Sequence, residues 1–372
     1  MNDIQMVDLK GQYRKIEGEV DKAIKEVILN SSFINGPQVK SFKEDLKNYL
    51  NCNHVITCGN GTDALQIALM ALNLNPGDEI ITSTFTFIAT AEVISLLKLK
   101  PVFVDVDTNN FNILPAEIEK VISPKTKAII PVHLYGQCAP MEEILSLASK
   151  YNLHVIEDTA QAIGANYTFK DGTKKKAGTI GTIGTTSFFP SKNLGCYGDG
   201  GAIFTNDDQL AEKMTMICNH GSRIKYNHEI VGVNSRLDSI QAAVLSVKLK
   251  SLDSYSEARA YSASLYSKFL ENVEWIETPV IEGYSDHVFH QYTLKVLNGD
   301  RDKLKKHLSD LNIPSMIYYP KPLHKQEAFT AFKSGTFPNS DDLESKVLSL
   351  PMHTELNEES IYYITNTIKS FK

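Results

Sequence analysis

The chain of 372 residues lacks the features that mark membrane, secreted and nucleic-acid-binding proteins. No stretch approaches the roughly 18 consecutive apolar residues that a spanning helix needs, and no basic segment followed by an apolar one opens the sequence. The five cysteines are odd in number and form no Cys-x-x-Cys pair, which argues against a disulfide framework and a structural metal site and predicts a reducing, cytoplasmic setting. The net charge of −6 predicts no partner among nucleic acids.

Two common phosphate-binding patterns are also missing. The sequence contains neither the Gly-x-Gly-x-x-Gly pattern of dinucleotide-binding proteins nor the Gly-Lys-Ser/Thr end of a Walker loop. Their absence disfavours a dehydrogenase that oxidises sugars with a nicotinamide cofactor.

Short runs of Val and Ile alternate with helical patterns from residue 55 onward. Strands that carry apolar residues at every position are buried on both faces, and helices between them form crossovers over a parallel sheet. The pattern therefore predicts an α/β fold with a mostly parallel sheet. We expect strands at 55–57, 79–82, 101–106, 128–132 and 154–157, and helices at 64–74, 89–99, 115–122 and 141–151.

The length of the chain predicts more than one domain. We expect a helical arm at 1–50, a large domain at 51–245, and a smaller C-terminal α+β domain with a connector helix at 246–372. In the last part of the chain the pattern predicts a helical connector at 237–270, strands at 288–296 and 315–319, and helices at 301–311 and 358–371.

Lys192 lies between Pro190 and a run of glycines that begins at Gly195. A lysine on such a loop can be aimed at a cofactor, and we hypothesise that its amine forms a Schiff base with pyridoxal phosphate. On this stretch alone, a surface lysine beside a flexible loop is the simpler interpretation.

Other candidate residues follow predicted strands of the sheet. Asp158 ends one strand, where its carboxylate could keep a pyridine nitrogen protonated, and Gln161 could donate to the ring hydroxyl. Phe87 follows another strand and could lie flat on the ring. A helix-capping aspartate and a core phenylalanine are the alternatives.

Gly61 and Thr62 lie in the turn between the first strand and its helix, where the backbone amides and the helix N-terminus suit a phosphate. Thr62 is also a candidate N-cap, and an ordinary turn is the alternative. In the second half of the chain, Asn234 and Arg236 precede a helical segment. An aromatic and proline-rich loop with Tyr318, Tyr319 and His324 could cover a sugar, although both stretches are also compatible with a cap and a plain turn.

Together these stretches resemble the DegT/DnrJ/EryC1/StrS family of pyridoxal-phosphate-dependent sugar-nucleotide aminotransferases, which have the fold type I aspartate aminotransferase architecture. The resemblance runs from residue 7 to the C-terminus and depends on the order and spacing of its pieces. It implies Lys192 as the catalytic lysine, Asp158 at the pyridine nitrogen, and a homodimer with its active site at the subunit interface. It further implies cofactor contacts from Gln161 and Phe87 at the ring, from Gly61, Thr62 and Ser187 at the phosphate, and from Asn234 of the other subunit.

Within the family, residues 131–138 and 188–201 look most like enzymes that aminate C3 of a UDP-linked 2-acetamido-3-oxo-glucuronate for bacterial surface polysaccharides such as O-antigen. The resemblance implies L-glutamate as the amino donor and Arg236, Tyr318, Tyr319 and His324 as substrate contacts. Tyr318 and Ile163 stand where these relatives or the wider family have histidines. The alternatives are amination of a dTDP-linked 3-oxo-6-deoxyhexose or a 4-keto sugar, a dehydratase or aldolase of the same fold, and a non-catalytic regulator that binds the cofactor.

Overall fold

The computed structural model describes residues 4–332 and 335–371. Two helices open the chain, α1 (Leu9–Leu29) and α2 (Pro37–Leu50). Asp8 caps α1 by accepting a hydrogen bond from the Gly11 amide at 2.7 Å. Proline in the first turn of α2 loses no helical hydrogen bond, because the amide at that position has no intrahelical acceptor.

A seven-stranded sheet forms the centre of the molecule, and it confirms the predicted α/β class. Its strand order is β1-β9-β8-β5-β4-β2-β3, and β9 alone runs antiparallel to both of its neighbours. A small hairpin of β6 and β7 interrupts the sequence order. The strands are β1 (His54–Cys58), β2 (Glu79–Ser83), β3 (Lys100–Val104), β4 (Thr126–Ile130), β5 (His154–Asp158), β6 (Asn166–Thr168), β7 (Lys174–Lys176), β8 (Ile183–Ser187) and β9 (Gly201–Thr205).

Helices cover both faces of this sheet. Successive strand residues point to opposite faces, so Ile80 and Ile156 join one core cluster while Ile81 and Val155 join the other. Two buried faces explain why the strands carry Val and Ile without alternation. The helices are α3 (Gly61–Ala71), α4 (Ala89–Leu96), α5 (Pro115–Val121), α6 (Met141–Tyr151) and α7 (Asp208–Cys218).

A three-stranded antiparallel sheet lies in the C-terminal part, in the order β12-β13-β14. A short hairpin, β10 (Ser222–Ile224) and β11 (Asn227–His228), precedes it in the chain. The remaining elements are α8 (Ser239–Leu249), α9 (Leu252–Leu270), β12 (Ile276–Glu277), β13 (Tyr292–Val296), α10 (Arg301–Asp310), α11 (Pro338–Lys346), β14 (Val347–Leu350) and α12 (Glu358–Ser370). The two sheets fall on either side of the predicted boundary near residue 245, and the exact domain limits stay a prediction.

The predicted connector at 237–270 is helical over most of its length and consists of two helices, α8 and α9, with a two-residue break between them. One expectation for this half of the chain is wrong. Residues 315–319 form no strand: only Met316 makes an isolated bridge, to Ser349 of β14. Across both described ranges, no helix combines the length and hydropathy needed to cross a bilayer.

Candidate active site

Asp158 is the last residue of β5 and lies at the carboxyl edge of the parallel strands. Its side chain is 6% exposed. The Ala160 amide donates to Oδ1 at 3.1 Å, and the Thr90 hydroxyl donates to Oδ2 at 2.8 Å. The alternative of a helix-capping aspartate is wrong, because a turn and not a helix follows Asp158. The Ala160 contact is local to this turn, whereas Thr90 comes from α4, 68 residues earlier.

Glu157 precedes Asp158 and points to the opposite face of the sheet. Its buried carboxylate accepts hydrogen bonds from the amides of Gly178, Ile180 and Gly181 at 2.6–2.9 Å. His133 Nε2 lies 2.9 Å from the same carboxylate. The Ala139 amide donates to His133 Nδ1, so the ring proton is on Nε2 and points at Glu157. This network fixes the end of β5, and the sequence analysis missed it.

Gln161 connects two parts of the predicted site. The Tyr135 amide donates to Gln161 Oε1 at 2.7 Å, and Gln161 Nε2 donates to the Tyr319 hydroxyl at 3.0 Å. The Tyr135 hydroxyl donates to the carbonyl of Tyr318. Tyr135 therefore holds Gln161 on one side and the loop of Tyr318 and Tyr319 on the other.

Lys192 is half-buried on the loop between β8 and β9. Its amide donates to the Phe189 carbonyl at 2.8 Å, and the neighbouring Asn193 side chain donates to the Val288 carbonyl at 2.9 Å. Burial lowers the pKa of Lys192 to about 8, and the charge of Asp158 opposes that shift. The two predicted catalytic side chains are thus close enough to interact electrostatically.

A second lysine supports this loop from α8. Lys248 is 1% exposed, and its Nζ donates to the Gly195 carbonyl at 2.5 Å. Burial lowers the pKa of Lys248 to about 8. Gln241 of the same helix accepts a hydrogen bond from the Tyr197 amide at 2.8 Å. The sequence analysis does not predict the role of Lys248, because nothing in the sequence distinguishes a buried lysine from an exposed one.

The turn after β1 begins α3, and here the predicted cap is wrong. Asn60, not Thr62, is the N-cap, and its Oδ1 accepts from the Asp63 amide at 2.8 Å. The first-turn amides of Gly61 and Thr62 have no intrahelical acceptor. A Cβ added to Gly61 would lie 2.6 Å from Cβ of Ser187. The helix start therefore packs against the end of β8 and brings the three predicted phosphate-binding residues together.

Asn234 and Arg236 flank Ser235, which connects their loop to the turn between β1 and α3. The Ser235 hydroxyl accepts from the Gly59 amide at 2.8 Å and donates to Asp63 at 2.5 Å. Asn234 is exposed, whereas Arg236 is half-buried and lines a cleft bordered by α2, β1 and α7.

Phe87 and His324 differ sharply in exposure. Phe87 is 55% exposed, and its ring centroid lies 6.3 Å from that of Tyr319. His324 is 4% exposed; its ring nitrogens lie 2.6 Å from the Thr84 hydroxyl and 2.9 Å from the Asp341 carboxylate. Phe87 thus presents a free face, while His324 joins the end of β2 to α11. Its contact with substrate stays a prediction.

The sequence was compared with protein families and with known proteins. The sequence profile of the DegT/DnrJ/EryC1/StrS aminotransferase family matches residues 14–369. The chain belongs to this family. As such, it is a pyridoxal-phosphate-dependent sugar-nucleotide aminotransferase.

Relatives of this aminotransferase are similar along nearly the whole chain. It is 48% identical to the "pleiotropic regulatory protein" of Geobacillus stearothermophilus, over 99% of this chain and 98% of that protein. It is 45% identical to the UDP-2-acetamido-2-deoxy-3-oxo-D-glucuronate aminotransferase of Pseudomonas aeruginosa, over 97% of this chain and 98% of that protein. The crystal structure of DesV from S. venezuelae, in complex with a ketimine intermediate, has a TM-score of 0.95 at 36% identity and covers 99% of this chain and 98% of that chain.

The aminotransferase's own residues fit pyridoxal phosphate. The Asp158 carboxylate has a fixed orientation and suits a pyridine nitrogen, and the Lys192 amine has a lowered pKa and suits an aldehyde. The helix amides beside Gly61 have no intrahelical acceptor and suit a phosphate. A side chain at position 61 would fill the space next to Ser187. The donor set therefore agrees with the cofactor that the family uses.

Proposed function

We propose that this aminotransferase moves an amino group from L-glutamate to C3 of UDP-2-acetamido-2-deoxy-3-oxo-glucuronate, in the cytoplasm, for a bacterial surface polysaccharide such as O-antigen. The observation that carries the proposal is the 45% identity, over 97% of the chain, to the relative named for this substrate. Transaminases named for dTDP-linked 3-amino sugars are 35–38% identical, and they define the alternative.

Lys192 and Asp158 perform the proton chemistry in this proposal. Pyridoxal phosphate, when bound, supplies an electron sink for the charge left at a carbon that loses its proton. Lys192 accepts that proton at Nζ, and with a pKa of about 8 roughly a tenth of the free amine is already neutral at pH 7. Asp158 holds a proton on the ring nitrogen through a charge-assisted hydrogen bond.

The other predicted residues orient the cofactor. Gln161 Nε2 carries two N–H donors; one donates to the Tyr319 hydroxyl, and the other is available to the ring hydroxyl. Phe87, which is 55% exposed, would cover the ring. Gly61, Thr62 and Ser187 would hold the phosphate at the start of α3, and Asn234 of the partner subunit would complete its binding site in a homodimer.

Four residues are proposed to contact the sugar nucleotide. Tyr318 and Tyr319 cover the sugar from the loop that Tyr135 holds. Arg236 supplies a cation for a uronate carboxylate or a phosphate. His324 completes the group at the base of the same loop.

The test is a panel of keto-sugar nucleotides incubated with holoenzyme and L-glutamate, with products identified by mass spectrometry. We expect the UDP-linked 3-oxo-glucuronate to give the highest kcat/KM and a new amine at C3. Preference for a dTDP-linked 3-oxo-6-deoxyhexose would overturn the substrate assignment. Transfer to none of the sugars would favour a regulatory role, in line with the name of the Geobacillus relative.

A further inference from the structure

We propose that Thr90 is a positioning residue for Asp158, and that its hydroxyl sets the orientation of the carboxylate that serves the cofactor's ring nitrogen. This inference rests on the proposed role of Asp158. It assigns a task to a residue of α4 that carries no part of the chemistry itself.

The contact is short, buried and remote in sequence. Thr90 Oγ1 donates to Asp158 Oδ2 at 2.8 Å, and the Thr90 side chain is 1% exposed. Thr90 lies in the first turn of α4, whose N-cap, Ile88, provides no side-chain hydrogen bond. The Thr90 hydroxyl has one proton and donates it to Asp158, so it does not donate to a carbonyl of its own helix.

The two donors to Asp158 divide its oxygens between them. The Ala160 amide donates to Oδ1 from the turn that follows β5, whereas Thr90 donates to Oδ2 from α4. A carboxylate with one donor on each oxygen cannot rotate without breaking a hydrogen bond, yet each oxygen keeps acceptor capacity for another partner. One such partner would be a pyridinium N–H.

Hydrogen bonds to an ionised acceptor are stronger than neutral ones, and a buried charge depends on them. Removing the hydroxyl of Thr90 would leave Asp158 with the Ala160 amide alone among the donors described above. The carboxylate would then be a weaker and less directed partner for a positive ring nitrogen, so cofactor affinity would fall without any lost contact between Thr90 and the cofactor.

The experiment measures the dissociation constant of pyridoxal phosphate from the apoprotein by equilibrium dialysis. Thr90→Val keeps the shape and removes the donor, and Thr90→Ser keeps the donor. We expect T90V to raise the dissociation constant about tenfold and T90S to restore it to within about twofold of the wild type. Thr365→Val is the matched control, because Thr365 is a buried helical threonine that donates to a carbonyl in α12; it should leave the constant unchanged.

A double-mutant cycle separates positioning from a general loss of stability. If Thr90 acts through Asp158, T90V should change the dissociation constant less than about twofold in an Asp158→Asn background. Equal effects of T90V in both backgrounds, or no effect in the wild type, would overturn the inference. Cofactor affinity and turnover unaffected by D158N would instead overturn the proposed role of Asp158. Thermal unfolding of each apoprotein shows whether T90V and T365V cost similar stability.

Discussion

At the scale of single residues, the site contains two lysines whose pKa values are lowered to the same extent, and their interaction partners distinguish them. Burial lowers the pKa of both Lys192 and Lys248 to about 8. Lys248 points its Nζ at the Gly195 carbonyl, so its amine is engaged within the protein. Lys192 has Asp158 as its electrostatic neighbour and is the amine to which we assign the chemistry.

The first prediction concerns the pH dependence of cofactor capture. The pKa of Lys192 lies below its ordinary value of 10.5, and only the neutral amine attacks an aldehyde. Below about pH 8 the amine is mostly protonated, so the rate at which the apoprotein binds pyridoxal phosphate covalently should rise with pH and level off above about 8. Stopped-flow absorbance between pH 6 and 10 measures this rate.

Lys192→Ala provides the control for that profile. It should show no covalent capture and no turnover, and its apoprotein should unfold at a temperature close to that of the wild type. A midpoint near 10 in the wild type, or covalent labelling that persists in K192A after borohydride reduction, would contradict the prediction.

At the scale of elements, the phosphate-binding turn depends on how closely α3 starts beside β8. An alanine at position 61 would place its Cβ 2.6 Å from Cβ of Ser187, closer than carbon atoms approach without displacement. We predict that Gly61→Ala moves the helix start, weakens pyridoxal phosphate binding at least tenfold, and costs about 1–3 kcal/mol of unfolding free energy. Equilibrium dialysis and denaturant unfolding of the apoprotein measure the two effects.

Gly18→Ala is the matched control for this substitution. Gly18 lies in the interior of α1, and apart from its chain neighbours and the backbone of its own helix no described atom lies within 4 Å of the added Cβ. Alanine is the better helix former, so G18A should stabilise the protein by about 0.5–1 kcal/mol and leave cofactor binding unchanged. An equal fall in affinity in both variants would show that the close approach at Gly61 is not the cause.

The sequence predicts elements well where one local pattern determines them. Burial on both faces gives β2 and β5 adjacent apolar residues, Ile80-Ile81 and Val155-Ile156, and both strands lie within a residue or two of their predicted bounds. The strand β14 went unpredicted, because its pairing with β13 joins segments more than 50 residues apart. The sequence predicts a strand at 315–319, but the structure has only an isolated bridge there, between Met316 and Ser349 of β14.

In the site, too, residues that belong to a local sequence pattern are predictable, and residues that act through long-range contacts are not. Lys192, Asp158 and Gln161 carry chemistry in recognisable local patterns, and the structure brings these three into one neighbourhood through Tyr135, Tyr319 and the field of Asp158. Thr90 and His133 are invisible to such patterns, because each acts through a hydrogen bond to a residue 24 or more positions away. The N-cap at Asn60 was missed by two residues because both Asn60 and Thr62 have side chains suited to capping.

At the scale of the whole molecule, the site draws on both parts of the chain. The carboxyl edge of the central sheet supplies Asp158, Gln161 and Lys192, while the C-terminal part supplies the loop of Tyr318 and Tyr319. The loop hydrogen bonds to Gln161 and Tyr135 and so reaches the central sheet directly. Substrate bound under this loop would therefore lie against both parts.

The last prediction tests whether a second copy completes the site. Asn234 is exposed on a loop that Ser235 connects to the turn between β1 and α3. We proposed above that Asn234 contacts the cofactor phosphate bound in the partner subunit. In a heterodimer of K192A and Asn234→Ala chains, the N234A protomer keeps its lysine and receives Asn234 from its K192A partner. Co-expressed chains that assort randomly should then regain about a quarter of the wild-type sites, because half of the dimers are mixed and each has one complete site. If Asn234 instead serves its own subunit, each mixed dimer has one site without lysine and one without asparagine, and activity should not exceed the mean of the two parent variants.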